Sequence, residues 1–232
     1  GVYAAYRLDS VPPSPHSHRG TAIADIKAAL VLVLSSNRMA PALILVMFMS
    51  LFYGGTFMVL NPLIVRDVFG GSSSELSWSY GAFTLGTLVM TVFLVASGGV
   101  EHQGRALLLA LVFGAGVLML TSLTNSFWLY SGTIFLWGMG GAVAMSMSRT
   151  IMQESAPLSH RARVMSIFSL GNLGGMPLGA LIMGFTAEVI APQKVLWLAA
   201  GGMTTIVVLV WLFSSVSAIK PLTAEESAAL EG

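Results

Sequence analysis

Six apolar stretches, each close to the roughly 20 residues a helix needs to cross a bilayer core, take up most of this chain. They are Met39–Asn61, Trp78–Val100, Ala106–Thr124, Phe127–Met147, Val164–Ala187 and Val195–Ser217, and none contains Asp, Glu or Lys. Hydrocarbon offers the backbone no water, so a spanning segment must satisfy its own N–H and C=O groups, which a helix does. The pattern predicts an all-α membrane protein: a six-helix bundle over 39–217, preceded by a cytosolic linker over 1–38 and followed by a cytosolic tail over 218–232. Charged residues make up 9% of the chain, where a soluble domain carries about 25%. The small net charge therefore carries no argument for nucleic acid, and the placement of charge matters more. There is no cysteine, which excludes disulfides, thiol catalysis and Cys-type zinc sites. No cofactor and no metal centre is expected.

Topology follows from Lys and Arg, which concentrate in cytosolic loops. With the start of the chain in the cytosol, that side holds Arg7, Arg19, Lys27, Arg38, Arg105, Arg149, Arg161, Arg163 and Lys220, and the other side only Arg66 and Lys194. Both termini are then cytosolic, in a multi-pass protein of the cytoplasmic membrane whose surroundings are lipid. In the linker, Val11-Pro12-Pro13-Ser14-Pro15 reads as a loop, because proline lacks a donor and fixes φ. His16 and His18 belong to the same polar tail. Ile23, Ile26, Leu30 and Val33 recur at helical spacing beside Asp25 and Lys27, the pattern of an amphipathic helix lying on the membrane surface. Gly54-Gly55 and Asn61-Pro62 are expected to weaken the first span. The longest outer connection is expected at Val65–Ser77.

Two loops carry a resemblance. Ser97-Gly98-Gly99-Val100-Glu101-His102-Gln103-Gly104-Arg105 resembles the G-x-x-x-D-R-x-G-R loop of the major facilitator superfamily, which joins the second and third helices of each six-helix half. Ser, Glu and His replace the first Gly, the Asp and the first Arg, while Gly104 and Arg105 stand. The run from Gln153 through Pro157 and Arg161 to Arg163-Val164 resembles the family's Q-x-x-x-P-x-x-x-R-G-R-V run, with Ala162 where Gly is common. Gly174-Gly175-Met176-Pro177-Leu178-Gly179 is similar to the eleventh helix of bacterial drug and siderophore exporters. The resemblance covers the whole chain and implies helices seven to twelve of such a transporter. Together with the start at Gly1, it leads us to expect half of a larger protein, whose amino-terminal six-helix half would be a partner.

Small residues on the fifth span, Gly171, Gly175 and Gly179 beside Pro177, form a ridge that lets helices approach closely where lipid provides no hydrophobic drive. Polar residues inside a membrane are candidates for function, and here they are Tyr53, Asn61, Tyr80 and Asn172, with Arg149 and Gln153 at the cytosolic end. The resemblance implies that the first and fourth helices of the half line a central cavity, which favours Tyr53, Asn61 and Arg149, and that the third and sixth spans face lipid. It also implies a cytosolic gating network of Glu101, Gly104, Arg105, Glu154, Arg161 and Arg163. No span holds a carboxylate that could titrate in a pathway, and no P-loop or hydrolase constellation is present, so the chain does not read as an enzyme. The expected function is secondary transport by alternating access, in the export direction and of a small amphipathic or hydrophobic molecule, as part of an antiporter. A different reading is a six-helix scaffold that transports nothing and dimerises through its Gly-rich fifth span.

Overall fold

The computed structural model describes residues 22–219 and 221. The proline-rich start with His16 and His18, and nearly all of the expected tail, lie outside the described residues. Among the described residues the chain is helical throughout: α1 (Ala22–Ser35), α2 (Met39–Val68), α3 (Ser73–Ala96), α4 (Gln103–Ser122), α5 (Phe127–Ser155), α6 (Arg161–Val189) and α7 (Pro192–Phe213), then a short 3₁₀ turn at Val216–Ala218. By length and composition α2, α3, α4, α6 and α7 can each cross a membrane. α5 is 29 residues long, but Ser131, Gly132, Gly138, Gly140 and Gly141 dilute its apolar run, and it packs against α2, α3, α4 and α6.

Several boundaries differ from the sequence expectation. α2 does not end at Asn61 but continues to Val68, because two π turns, Ser50–Gly54 and Ile64–Val68, absorb the weak points at Gly54-Gly55 and Asn61-Pro62. A π turn accommodates a residue that the normal ladder cannot. The outer connection accordingly shrinks from Val65–Ser77 to residues 69–72. Gly70 takes φ +62°, a left-handed conformation that glycine adopts without steric cost, and the Gly71 N–H reaches the Val65 carbonyl at 2.8 Å. α3 then starts early because of a capping box: the Ser72 hydroxyl accepts from the Ser74 N–H at 3.2 Å and Glu75 reaches back to the Ser72 N–H at 2.8 Å, satisfying donors that the helix start would leave orphaned.

The packing repeats between the first three long helices and the last three. α2 lies along α6, α3 along α5, and α4 along both α5 and α7. Both outer seams are sealed by glycine. A Cβ at Gly175 would sit 2.6 Å from the Met47 carbonyl oxygen, and one at Gly179 would collide with the Leu51 carbonyl. In the second seam, Cβ atoms at Gly86 and Gly138 would collide with the Phe135 and Phe83 carbonyls. Burial is uneven as a result. The most apolar stretch of α4 is 56% buried and that of α2 50%, but those of α6 and α3 only 28% and 11%. Leu85, Leu88, Val92 and Phe93 of α3 and Leu173, Leu178 and Leu181 of α6 stand exposed. The third and sixth spans, expected toward lipid, do not offer the broadest apolar faces; α4 and α7 cover much of each other. α1 buries Ala29 and Val33 and packs on α6 and α2, while Ile26, Leu30, Val31 and Leu34 remain exposed. The buried strip is thus narrower than the expected apolar face.

Candidate transport face

Where α2, α3 and α5 meet, aromatic rings converge. Phe57 stacks obliquely on Phe83 with centroids 4.4 Å apart, meets Tyr80 edge-on at 5.3 Å and Trp137 at 5.5 Å. Phe83 also approaches Trp137 edge-on at 6.1 Å. These spacings and angles suit the ring quadrupoles. Trp137 is buried, Phe57 and Phe83 are half-buried, and Tyr80 is exposed, so the cluster runs from the interior to the surface. Helical spacing places the set together: Tyr80 and Phe83 are three apart on α3, and Tyr53 and Phe57 four apart on α2. That periodicity was available in the sequence, whereas a search confined to polar residues passes over Phe57, Phe83 and Trp137.

Tyr53 and Asn61 are buried in the bundle. The Tyr53 hydroxyl donates to the Leu111 carbonyl of α4 at 2.6 Å, and its ring meets Trp137 edge-on at 5.9 Å. Asn61 Oδ1 accepts from the Ser79 hydroxyl at 2.6 Å and the Tyr130 hydroxyl at 2.7 Å, joining α2, α3 and α5. Its Nδ2 is buried with no partner among the described residues, as is Thr56 Oγ1. Neither Tyr53 nor Asn61 reaches the surface of this bundle, because each polar atom in an apolar interior is held where it finds a partner. Ser79 and Tyr130, which complete the Asn61 network, were missed by sequence reasoning; serine and tyrosine are too common in such spans to stand out.

Asn172 is half-buried, and its carbonyl rather than its side chain accepts from the Ser50 hydroxyl. Arg149 and Gln153 are exposed on the last turns of α5. Those turns remain helical beyond Met147, where the apolar run ends. Gly171 lies against the Leu43 side chain, and Gly175 and Gly179 against the α2 backbone; Pro177 is exposed.

The loops at the end of the bundle that carries Arg105 and Arg161 bring Glu154 of α5 to Gln103 of α4. Glu154 takes two hydrogen bonds from the Gln103 side-chain amide at 3.1 and 3.2 Å. Glu101, Arg105, Arg161 and Arg163 are exposed. Gly104 instead permits a close crossing of the backbone. The segment after α7 passes over it, with the Gly104 N–H on the Ile219 carbonyl at 3.3 Å, and a Cβ there would collide with the Val216 carbonyl. Gln103 was passed over because its position is variable in the loop pattern.

The Major Facilitator Superfamily model matches residues 43–231. The chain belongs to the major facilitator superfamily. No curated protein and no solved structure matches it. Membership accounts for the multi-pass helical architecture and for both loop resemblances, and it makes the chain part of a family of transporters rather than enzymes. No group of His, Asp or Glu suited to a metal ion occurs among the described residues.

Proposed function

We propose that this chain supplies one six-helix half of a secondary transporter that exports small amphipathic or hydrophobic molecules across the cytoplasmic membrane by alternating access. The observation that carries the substrate class is the aromatic cluster of Phe57, Tyr80, Phe83 and Trp137, which joins the first, second and fourth helices of the half and reaches the surface at Tyr80 on the second. Two of the three, the first and the fourth, are helices that the family resemblance assigns to the cavity wall. No Asp, Glu or Lys lies within the apolar stretches 39–61, 78–100 and 127–147 that carry it. An apolar, ring-lined wall binds flat or greasy molecules through burial and ring contacts. The broad apolar faces of α3 and α6 are where a second six-helix bundle would pack. The excess of Arg at the Arg105 end favours the cytosol for that end. The scaffold reading loses its main support, since Gly175 and Gly179 are already occupied by α2 within the bundle.

The test uses the protein expressed from its native reading frame, reconstituted in vesicles of both orientations. Binding and transport of an apolar fluorescent dye are compared for wild type, Tyr80→Ala and Phe57→Ala. Tyr80 is exposed, so its removal leaves the fold in place. A ring contact contributes about 0.5–1.5 kcal/mol, so Tyr80→Ala should weaken binding by about two- to tenfold. Unchanged affinity in both variants, or transport restricted to polar anionic solutes, would remove the basis of the substrate class. Accumulation only in right-side-out vesicles would reverse the direction.

A further inference from the structure

We infer that the groove between α4 and α7 at the Arg105 end binds an anionic glycerophospholipid, with the phosphate on Arg105 and an acyl chain along Leu109, Val112 and Val208. The groove has a volume of about 430 Å³ and is lined by Arg105, Leu108, Leu109, Val112, Val208 and Trp211, with Ser217 at its end. Its chemistry is graded along the bundle axis. Arg105 and Ser217 stand at the end of the helices. Leu109 and Val112 follow over roughly two turns of α4, about 10 Å, toward the middle of the bundle. A glycerophospholipid has the same gradient, with a charged headgroup at the interface and chains pointing inward.

Charge complementarity selects the headgroup. Arg105 is exposed and has no ion pair or hydrogen bond among the described residues. Arginine in such a place suits phosphate because its planar donors match two phosphate oxygens at once. Basic pockets between transmembrane helices recognise anionic headgroups on this principle. Trp211, 56% exposed, lies one helix across from Arg105, and tryptophan favours the boundary between headgroups and chains. The opposite end of the same helix pair is built differently. There Gln193 donates to the Thr124 carbonyl at 3.4 Å, tying the start of α7 to the α4–α5 turn. Arg105 was expected in a gating network with Glu154. Glu154 is engaged by Gln103 instead, and Arg105 opens onto the outer groove.

The experiment reads tryptophan quenching in the protein expressed from its native reading frame and purified in detergent. Chain-brominated phosphatidylglycerol and chain-brominated phosphatidylcholine are titrated separately, and Trp211→Phe isolates the quenching that arises at the groove. The Trp211 component should report a preference for phosphatidylglycerol of about fivefold, the effect of one basic residue near a membrane surface. Arg105→Gln should abolish that preference, Arg105→Lys should keep part of it, and Leu109→Phe, which narrows the groove without adding an indole, should weaken quenching by both lipids. Equal affinity for the two lipids in wild type, which needs no variant to fold, would overturn the inference. So would a preference that persists in Arg105→Gln. Displacement by free glycerol phosphate as effectively as by the lipid would also overturn it, because the apolar groove would then contribute nothing.

Discussion

Gly179 and Gly174 lie on the same helix, five residues apart, yet replacing each with alanine should have opposite effects. A Cβ at Gly174 meets nothing within 4 Å. Alanine there gains the helix propensity that glycine lacks, about 0.5–1 kcal/mol. At Gly179 the same methyl would collide with the Leu51 carbonyl and its neighbouring backbone atoms. A backbone carbonyl cannot rotate aside as a side chain does, so α2 and α6 must separate along the seam. Overpacking of this kind costs about 1–3 kcal/mol. After subtracting the propensity gain, Gly179→Ala should destabilise the bundle by about 1–2 kcal/mol. For a domain of this size each kcal/mol moves the melting temperature by about 2–4 °C. Thermal unfolding in detergent, followed by loss of the monodisperse peak, should place Gly179→Ala about 2–8 °C below wild type and Gly174→Ala at or slightly above it. Gly55 meets Gly179 backbone to backbone, so Gly55→Ala with Gly179→Ala should cost less than the sum of the two, since the first substitution has already opened the gap. Equal melting temperatures for Gly179→Ala and Gly174→Ala would refute the idea that these seams are held by close backbone approach.

Two further outcomes follow from the polar contacts. Asn61→Leu deprives the buried Ser79 and Tyr130 hydroxyls of their shared acceptor and should destabilise the bundle by about 1–3 kcal/mol; adding Ser79→Ala and Tyr130→Phe should recover much of the loss, and a melting temperature unmoved by Asn61→Leu would count against the network. Ser72→Ala removes the cap of α3 and should cost about 1 kcal/mol, read locally as faster amide exchange at Ser74 and Glu75, whereas unchanged exchange there would show that the capping box does not hold the helix start.

The broad architecture was legible because a bilayer leaves few options: apolar runs of the right length must be helices, and their number and the loop motifs then indicate the family. Helix ends were less legible for a specific reason. The apolar run of α5 stops near Met147, but the helix continues through Arg149 and Gln153 to Ser155, since polar residues at a membrane surface support helix as readily as apolar ones do inside. α2 likewise passes through Asn61-Pro62, which would end many helices, by widening its turn at Ile64–Val68. Gly104 could be picked out as a loop-motif glycine, but its reason could not, because the stretch of chain that crosses it comes from residues 216–219, more than a hundred positions away.

The same contrast applies to the site. A polar residue in a membrane helix is conspicuous in sequence, and Tyr53 and Asn61 drew attention for that reason. Conspicuousness measures the cost of burying a polar atom, not the use made of it. Within a bundle that cost is met by the nearest acceptor, so Tyr53 binds the Leu111 carbonyl and Asn61 gathers Ser79 and Tyr130. Both are thereby committed to holding helices together. Phe57 and Phe83 carry no such obligation, and the hydroxyl of Tyr80, an exposed residue, is not enclosed by the bundle. Their rings gain from contact with any apolar surface, from a neighbouring helix or a ligand, and so they can end at the bundle surface without leaving a group unsatisfied. On the proposed reading, with no carboxylate in the six apolar stretches, selectivity would therefore rest on ring geometry at that face, with the hydrogen-bonded interior supplying the rigidity against which the rings are set.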